Sequence, residues 1–107
     1  LVDDDNQVRP VTAALLRDLG YTVVEADCAS VALAMAELHP IDLLVTDVVM
    51  PGTDGPSLLR KMRKLRPALA AIYVTGFAGE RALDDAPVLL KPCSADELET
   101  VIRETFA

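Results

Sequence analysis

Side chains capable of phosphoryl chemistry follow the short apolar runs of this sequence. They are Asp3, Asp4, Asp5, Asp47, Thr75 and Lys91. Two carboxylates ~4 Å apart repel by about 4 kcal/mol at an effective dielectric of ~20, so three converging carboxylates are disfavoured in their charged form unless a cation joins them. A site that offers only oxygen ligands and leaves some coordination positions of the metal open suits Mg²⁺, because this ion keeps several waters and binds phosphate oxygens. The set therefore indicates an Asp47 nucleophile, with Mg²⁺ and Lys91 drawing in a phosphoryl group.

Each of these residues taken alone also has an ordinary structural explanation. An aspartate after a strand is common as a helix N-cap or a turn residue. A lysine before a proline is commonly a surface charge, and a threonine at a strand end is commonly a β-former. The chemical interpretation depends on whether the fold brings these residues to one edge.

The chain alternates short β-rich runs with helical ones five times. The strands are predicted at Leu1–Asp3, Tyr21–Ala26, Ile41–Thr46, Ala70–Thr75 and Val88–Leu90. The helices are predicted at Gln7–Leu19, Ser30–Leu38, Ser57–Leu65, Gly79–Asp85 and Ala95–Thr105. This (βα)₅ pattern predicts a single α/β domain over residues 1–107, with a doubly wound parallel sheet. Ligands of such sheets bind beyond the carboxyl ends of the strands, where the residues named above lie.

Local signals support several helix ends. Gly20 stands where a left-handed C-terminal cap is needed, and His39-Pro40 ends the second helix. Ser94 and Glu97 have the spacing of a capping box at the start of the last helix.

Composition excludes several classes of protein. The net charge is −7 and no basic stripe is present, which argues against direct nucleic-acid binding. No stretch approaches the roughly 18 apolar residues of a membrane span. Cys28 and Cys93 lack metal-ligand spacing, so free thiols in a reducing cytoplasm are expected. Apolar residues make up 51% of the chain and aromatic residues 4%, as suits a sheet covered by helices on both faces.

Four motifs, in this order, resemble the receiver domains of response regulators in two-component signalling. They are LVDDD at the start, DLLVTDVVMPGTDG in the middle, YVTGF at the fourth strand and LLKP at the fifth. The resemblance covers essentially the whole chain. It implies a flavodoxin-like five-stranded sheet of order 2-1-3-4-5.

The resemblance also implies roles for individual residues. Asp47 would be the phosphorylated aspartate. The metal ligands would be Asp4 directly, Asp3 largely through water, Asp47 and the backbone carbonyl of Val49. Thr75 and Lys91 would bond phosphoryl oxygens, and the Lys91-Pro92 bond is often cis in such domains. Asp5 and Asp54 lie outside the core site by this resemblance, and Asp54-Gly55 is typical of a turn.

The sequence departs from the family pattern in three places. Val88 replaces a common aromatic residue, and Cys93 stands where a phenylalanine usually follows Lys-Pro. The segment between Thr75 and Lys91 is short. In relatives, an aromatic side chain at the position of Val88 swings into the space that the counterpart of Thr75 leaves on phosphorylation. Val88 has no ring, so this movement is not expected. Phosphorylation is instead expected to order residues 78–87 or simply to pass phosphate onward.

The expected function is a signalling domain that accepts phosphate from a histidine kinase or histidine phosphotransfer domain, not a general enzyme. Its DGPSLL and VTGF segments resemble those of receivers attached to hybrid histidine kinases, although a free-standing receiver or the N-terminal half of a longer regulator would look similar. One alternative is a small Mg²⁺-dependent aspartyl-phosphate phosphatase, but Val49 stands where such enzymes usually place a second aspartate. Another is a flavodoxin-like binding module, but the acidic rim lacks donors for a flavin phosphate.

Overall fold

The computed structural model of the protein describes residues 1–76 and 86–107. Its helices are α1 (Val8–Asp18), α2 (Ala29–Leu38), α3 (Gly55–Leu65) and α4 (Ala95–Phe106). Its strands are β1 (Leu43–Asp47), β2 (Ala70–Thr75) and β3 (Val88–Leu90). The four described helices confirm their predictions, with ends that differ by at most two residues. The helix predicted at Gly79–Asp85 lies outside the described residues.

The described strands form a parallel sheet of order β1-β2-β3. The strands predicted at Leu1–Asp3 and Tyr21–Ala26 are reduced to isolated parallel bridges, from Val2 to Ala26 and from Val2 to Thr46. Two backbone groups of the second segment bond elsewhere: the Tyr21 amide donates to the Leu16 carbonyl, and the Val23 carbonyl accepts from Arg17. The parallel α/β class is confirmed, and the five-stranded order stays a prediction.

Apolar side chains pack on both faces of the sheet, as the composition predicts. One face of β2 contributes Ala71 and Tyr73 to a core with residues of α2 and α3. The other face contributes Ile72 and Val74 to a core with Leu16 of α1 and residues of α4. Because successive side chains of a strand point to opposite faces, this division follows from the pleat of β2.

Local hydrogen bonds fix the ends of the helices. Asp54 caps α3, since its side chain accepts the amide of Ser57. Ser94 and Glu97 form the predicted capping box of α4. Gly20 follows α1 with φ at +99°, a conformation in which glycine avoids the penalty of a Cβ. The caps of α3 and α4 set where the loops that follow β1 and β3 end, at the carboxyl edge of the sheet.

Candidate functional site

The parallel pairing brings the predicted site residues to one edge of the sheet. Asp47 ends β1 and Thr75 ends β2. Lys91 directly follows β3, and its amide donates to the Thr75 carbonyl. The Asp47 amide donates to the carbonyl of Val2, which places Asp3 beside the end of β1. Since all these segments run in the same direction, their carboxyl ends meet at one rim.

Three carboxylates converge at this rim. Asp3, Asp4 and Asp47 each offer an oxygen within 4.8 Å of the others. At that separation two unit charges repel by about 3.5 kcal/mol at an effective dielectric of ~20. Three negative charges against the single positive charge of Lys91 leave a net charge of −2 when all four groups are ionised. Carboxylate oxygens with this charge fit a hard divalent cation such as Mg²⁺.

Lys91 bridges two of the three carboxylates. Its Nζ donates to Asp3 Oδ2 and to Asp47 Oδ2, each at 2.8 Å. Burial disfavours the charged amine, but the hydrogen bonds and charges of Asp3 and Asp47 outweigh it and raise the pKa of Lys91. The ammonium therefore stays charged at neutral pH and lies against the candidate nucleophile. The Lys91-Pro92 peptide bond is cis, as the resemblance suggested.

Asp3 and Asp4 differ sharply in their surroundings. The Asp3 residue is 3% exposed; Oδ1 accepts the Asp5 amide at 2.9 Å and Oδ2 accepts from Lys91. Asp4 is exposed to solvent. Both oxygens of Asp3 thus already have protein partners, whereas the Asp4 carboxylate is open to solvent.

The neighbouring aspartates have the structural roles that the sequence indicated. Asp5 Oδ1 accepts the amides of Gln7 and Val8 at the start of α1, and these bonds lower the pKa of Asp5. The amide and side chain of Ser57 likewise lower the pKa of Asp54. Asp54 caps a helix rather than only forming a turn, because the chain enters α3 directly after it.

Thr75 and Val49 lie at the same rim as the carboxylates. Thr75 is fully buried and pairs with Leu90 in the β2–β3 register. Val49 follows Asp47 by two residues, and its side chain is largely exposed. Their roles toward a phosphoryl oxygen and a metal ion stay predictions.

Two residues that support the site were not identified from the sequence. Gly55 approaches β1 so closely that a Cβ there would lie 2.2 Å from the Asp47 carbonyl oxygen. Arg9 Nη1 donates to the Asp3 carbonyl at 2.9 Å. The Asp-Gly pair signalled the first position only as turn chemistry. No local pattern signalled the second.

The departures from the family pattern lie in the sheet and at its edge. Val88 is half-buried and stands beside the fully buried Tyr73 in the β2–β3 register. Cys93 is half-buried, and burial raises the pKa of its thiol. Cys28 and Cys93 are both free, as predicted.

A cavity of about 740 Å³ lies away from the carboxylate rim. Its lining is mainly apolar and includes Val24, Met35, Ile41 and Leu44. Asp3, Asp47 and Lys91 do not line it. The converging charges therefore lie outside this mainly apolar pocket.

The chain resembles known proteins over nearly its full length. Residues 1–103 match the response regulator receiver domain family. The sensor kinase CckA of Brucella abortus (strain 2308) is 40% identical over 97% of this chain, which spans 12% of that kinase. The response regulator receiver protein CpdR of the same organism is 34% identical over 97% of this chain and 92% of its own length.

Solved structures agree with the sequence relatives. The crystal structure of the receiver domain from the hybrid histidine kinase CckA superposes with a TM-score of 0.85 and 36% identity, covering 99% of this chain and 95% of that one. No helix in the described ranges, 1–76 and 86–107, has the length and apolarity needed to cross a bilayer.

Proposed function

Because this chain belongs to the response regulator receiver domain family of two-component signalling, we propose that Asp47 accepts a phosphoryl group from a phosphohistidine partner. An Asp47 carboxylate oxygen attacks phosphorus, and the P–N bond of the donor breaks with its electron pair going to the imidazole. The partner is a histidine kinase or a histidine phosphotransfer domain. The family match favours this reading over a phosphatase or a flavodoxin-like module.

The observation that carries the proposal is the bridge of Lys91 across Asp3 and Asp47, beside the exposed Asp4. The ammonium holds the Asp47 carboxylate at the end of β1, and an incoming phosphoryl oxygen can replace its contact to Asp47. Positioning and charge stabilisation are the main requirements of phosphoryl transfer.

A divalent cation fits the remaining charge of the site. Asp4, Asp47 and the Val49 carbonyl would hold Mg²⁺ directly, and Asp3 would act through water. When bound, Mg²⁺ supplies charge neutralisation for the transferring group. Asp3 keeps its contacts to Lys91 and to the Asp5 amide, so it supports the ion without supplying a free oxygen.

The other rim residues complete the proposed roles. The Thr75 hydroxyl bonds one phosphoryl oxygen and Lys91 another, as the resemblance implies. Val2 bridges Ala26 on one side and Thr46 on the other. These bridges support a sheet of order 2-1-3-4-5, counting the five predicted strands in chain order from Leu1. The free thiols fit a cytoplasmic protein, and the likeness to CckA supports attachment to a hybrid histidine kinase.

Phosphorylation by a small acyl phosphate tests the assignment directly. With Mg²⁺ present, intact-mass spectrometry should show one added phosphoryl group that hydroxylamine removes, as expected for an acyl phosphate. Asp47→Asn should abolish the adduct, because it removes the nucleophile. The Asp5→Asn variant is the matched control, since an Asn side chain can still accept the Gln7 and Val8 amides and Asp5 lies outside the proposed ligands.

Metal binding tests the second half of the proposal. Calorimetric titration should show weak, millimolar-range Mg²⁺ binding that Asp4→Asn reduces strongly and Asp5→Asn changes little. An adduct on Asp47→Asn at the wild-type level would refute the phosphorylation site. Equal Mg²⁺ affinity in Asp4→Asn and wild type would show that Asp4 is a loop residue and not a metal ligand.

A further inference from the structure

The side chain of Arg9, the second residue of α1, reaches back to the acidic loop that precedes the helix. Its Nη1 donates to the Asp3 carbonyl at 2.9 Å, a full hydrogen bond. Its side chain is 18% exposed, so the guanidinium is largely enclosed. The Asp3 amide, on the other side of the same residue, donates to the Ala26 carbonyl at 3.1 Å. Both backbone polar groups of Asp3 are therefore fixed by neighbouring segments.

Glu25 orients the Arg9 guanidinium from the far side. The Arg9 Nε lies 3.6 Å from Glu25 Oε1, an ion pair that is too long for a hydrogen bond. Glu25 Oε2 accepts from Arg17 Nη1 at 3.1 Å. Arg17 is 49% exposed and its other bond goes to the Val23 carbonyl, so it shares Glu25 with Arg9 but makes no bond to Asp3.

The backbone of Asp3 decides where two carboxylates point. Asp3 is buried and bonds to Lys91, whereas Asp4 is exposed in a bend that the bond from the Asp5 amide to Asp3 Oδ1 closes. A rotation of the Asp3–Asp4 peptide would exchange or spoil these directions. The Asp3 carbonyl belongs to that peptide and is the atom that Arg9 holds.

We propose that Arg9 is a positioning residue for the metal site, which holds the Asp3 carbonyl so that Asp3 faces Lys91 and Asp4 faces the ion. This inference rests on the proposed function, because it assumes that Asp4 and Asp47 bind Mg²⁺. Arg9 touches neither the ion nor the phosphoryl group, and it acts through the peptide between two carboxylates.

If Arg9 acted only through its charge, replacing it with a neutral residue would strengthen Mg²⁺ binding. A cation close to three carboxylates weakens the binding of a second cation, so its removal would tighten Mg²⁺ binding. Positioning predicts weaker binding instead. Arg9→Lys separates the two effects further, because lysine keeps the charge but lacks the planar fork that reaches the carbonyl and Glu25 together.

The experiment compares Mg²⁺ affinity by calorimetry in wild type, Arg9→Lys, Arg9→Gln and the control Arg17→Gln. Both Arg9 variants should bind Mg²⁺ about tenfold more weakly, the usual effect of removing a group that orients a metal ligand. Arg17→Gln should stay within about twofold of wild type, since an exposed pair contributes little. Thermal unfolding of each variant sets a titration temperature at which all are folded.

Phosphorylation kinetics provide a second readout that general loss of stability would not produce. With a small acyl phosphate, the Arg9 variants should need more Mg²⁺ for half-maximal rate, while the rate at saturating Mg²⁺ stays near that of wild type. Glu25→Gln, which leaves the Asp3 carbonyl bond in place, should show a smaller shift than either Arg9 variant.

Each other outcome has a definite meaning. Wild-type affinity in Arg9→Lys, tighter binding in Arg9→Gln, or equal weakening in Arg17→Gln would each overturn the positioning role while leaving the proposed function intact. A wild-type protein that neither binds Mg²⁺ nor accepts a phosphoryl group would instead refute the proposed function, and the inference with it.

Discussion

Replacing Gly55 with alanine should damage the site through the backbone of Asp47. The new methyl carbon would lie 2.2 Å from the Asp47 carbonyl oxygen and 3.1 Å from the Val48 Cα. Carbon and oxygen atoms ordinarily stay about 3.3 Å apart or more, so roughly 1 Å of movement is required. The obstructing atoms are backbone, hence no side-chain rotation relieves the clash. Either the end of β1 or the start of α3 must shift.

The expected magnitude combines two opposing terms. Overpacking of this kind costs typically 1–3 kcal/mol, whereas exchanging glycine for alanine restricts the unfolded chain and returns about 0.4–1 kcal/mol. The free energy of unfolding should therefore fall by at most about 2.6 kcal/mol, and by about 1.3 kcal/mol for mid-range values of both terms. A shift of about 1 Å would also stretch the 2.8 Å bond between Asp47 and Lys91 beyond hydrogen-bonding distance, and misplacement of that size can reduce a rate about 100-fold.

Urea unfolding and acyl-phosphate labelling measure the two effects separately. Gly76→Ala is the matched control, because nothing among residues 1–76 and 86–107 lies within 4 Å of its added Cβ and its φ is not positive. The control should keep wild-type labelling and stability to within about 1 kcal/mol. If Gly55→Ala labels as fast as Gly76→Ala and unfolds at the same urea concentration, the close approach of α3 to Asp47 is wrong.

Two further changes test the cap of α3 and the lysine bridge. Asp54→Ala should lower the free energy of unfolding by about 1 kcal/mol at pH 7. Bonds from Ser57 lower the pKa of Asp54, so this contribution is complete above the unfolded value of 3.8 and disappears as pH falls through the lower folded value. Urea unfolding of variant and wild type should therefore converge in acid, and a constant difference would contradict the cap. Lys91→Met should cost about 3 kcal/mol without metal, because Asp3 and Asp47 are left facing each other. Added Mg²⁺ should raise the melting temperature of this variant more than that of wild type, and an equal rise would argue against a shared charge site.

The sequence alone determined the features that depend on neighbouring residues. The cap of α4 needs only Ser94 and the glutamate three positions later, and the end of α1 needs only Gly20. The apolar strands and their helices follow from periodicity, which gave the parallel α/β class. The order of the four motifs then indicated the receiver family, which the comparisons confirm. The capping signals are local, because capping bonds join residues within one helical turn.

Only the tertiary structure decided how the charges of the site are shared. Lys91 bonds to Asp3 across 88 positions and to Asp47 across 44, so no sequence pattern fixes which oxygens it holds. The pairing of Tyr21–Ala26 was overestimated, because only its Val24–Ala26 end exchanges backbone hydrogen bonds with Leu1 and Asp3. The need for glycine at position 55 depends on how closely α3 packs on β1. Distances of this kind result from packing the whole domain, because close-packed interiors leave each residue only the space that distant segments allow.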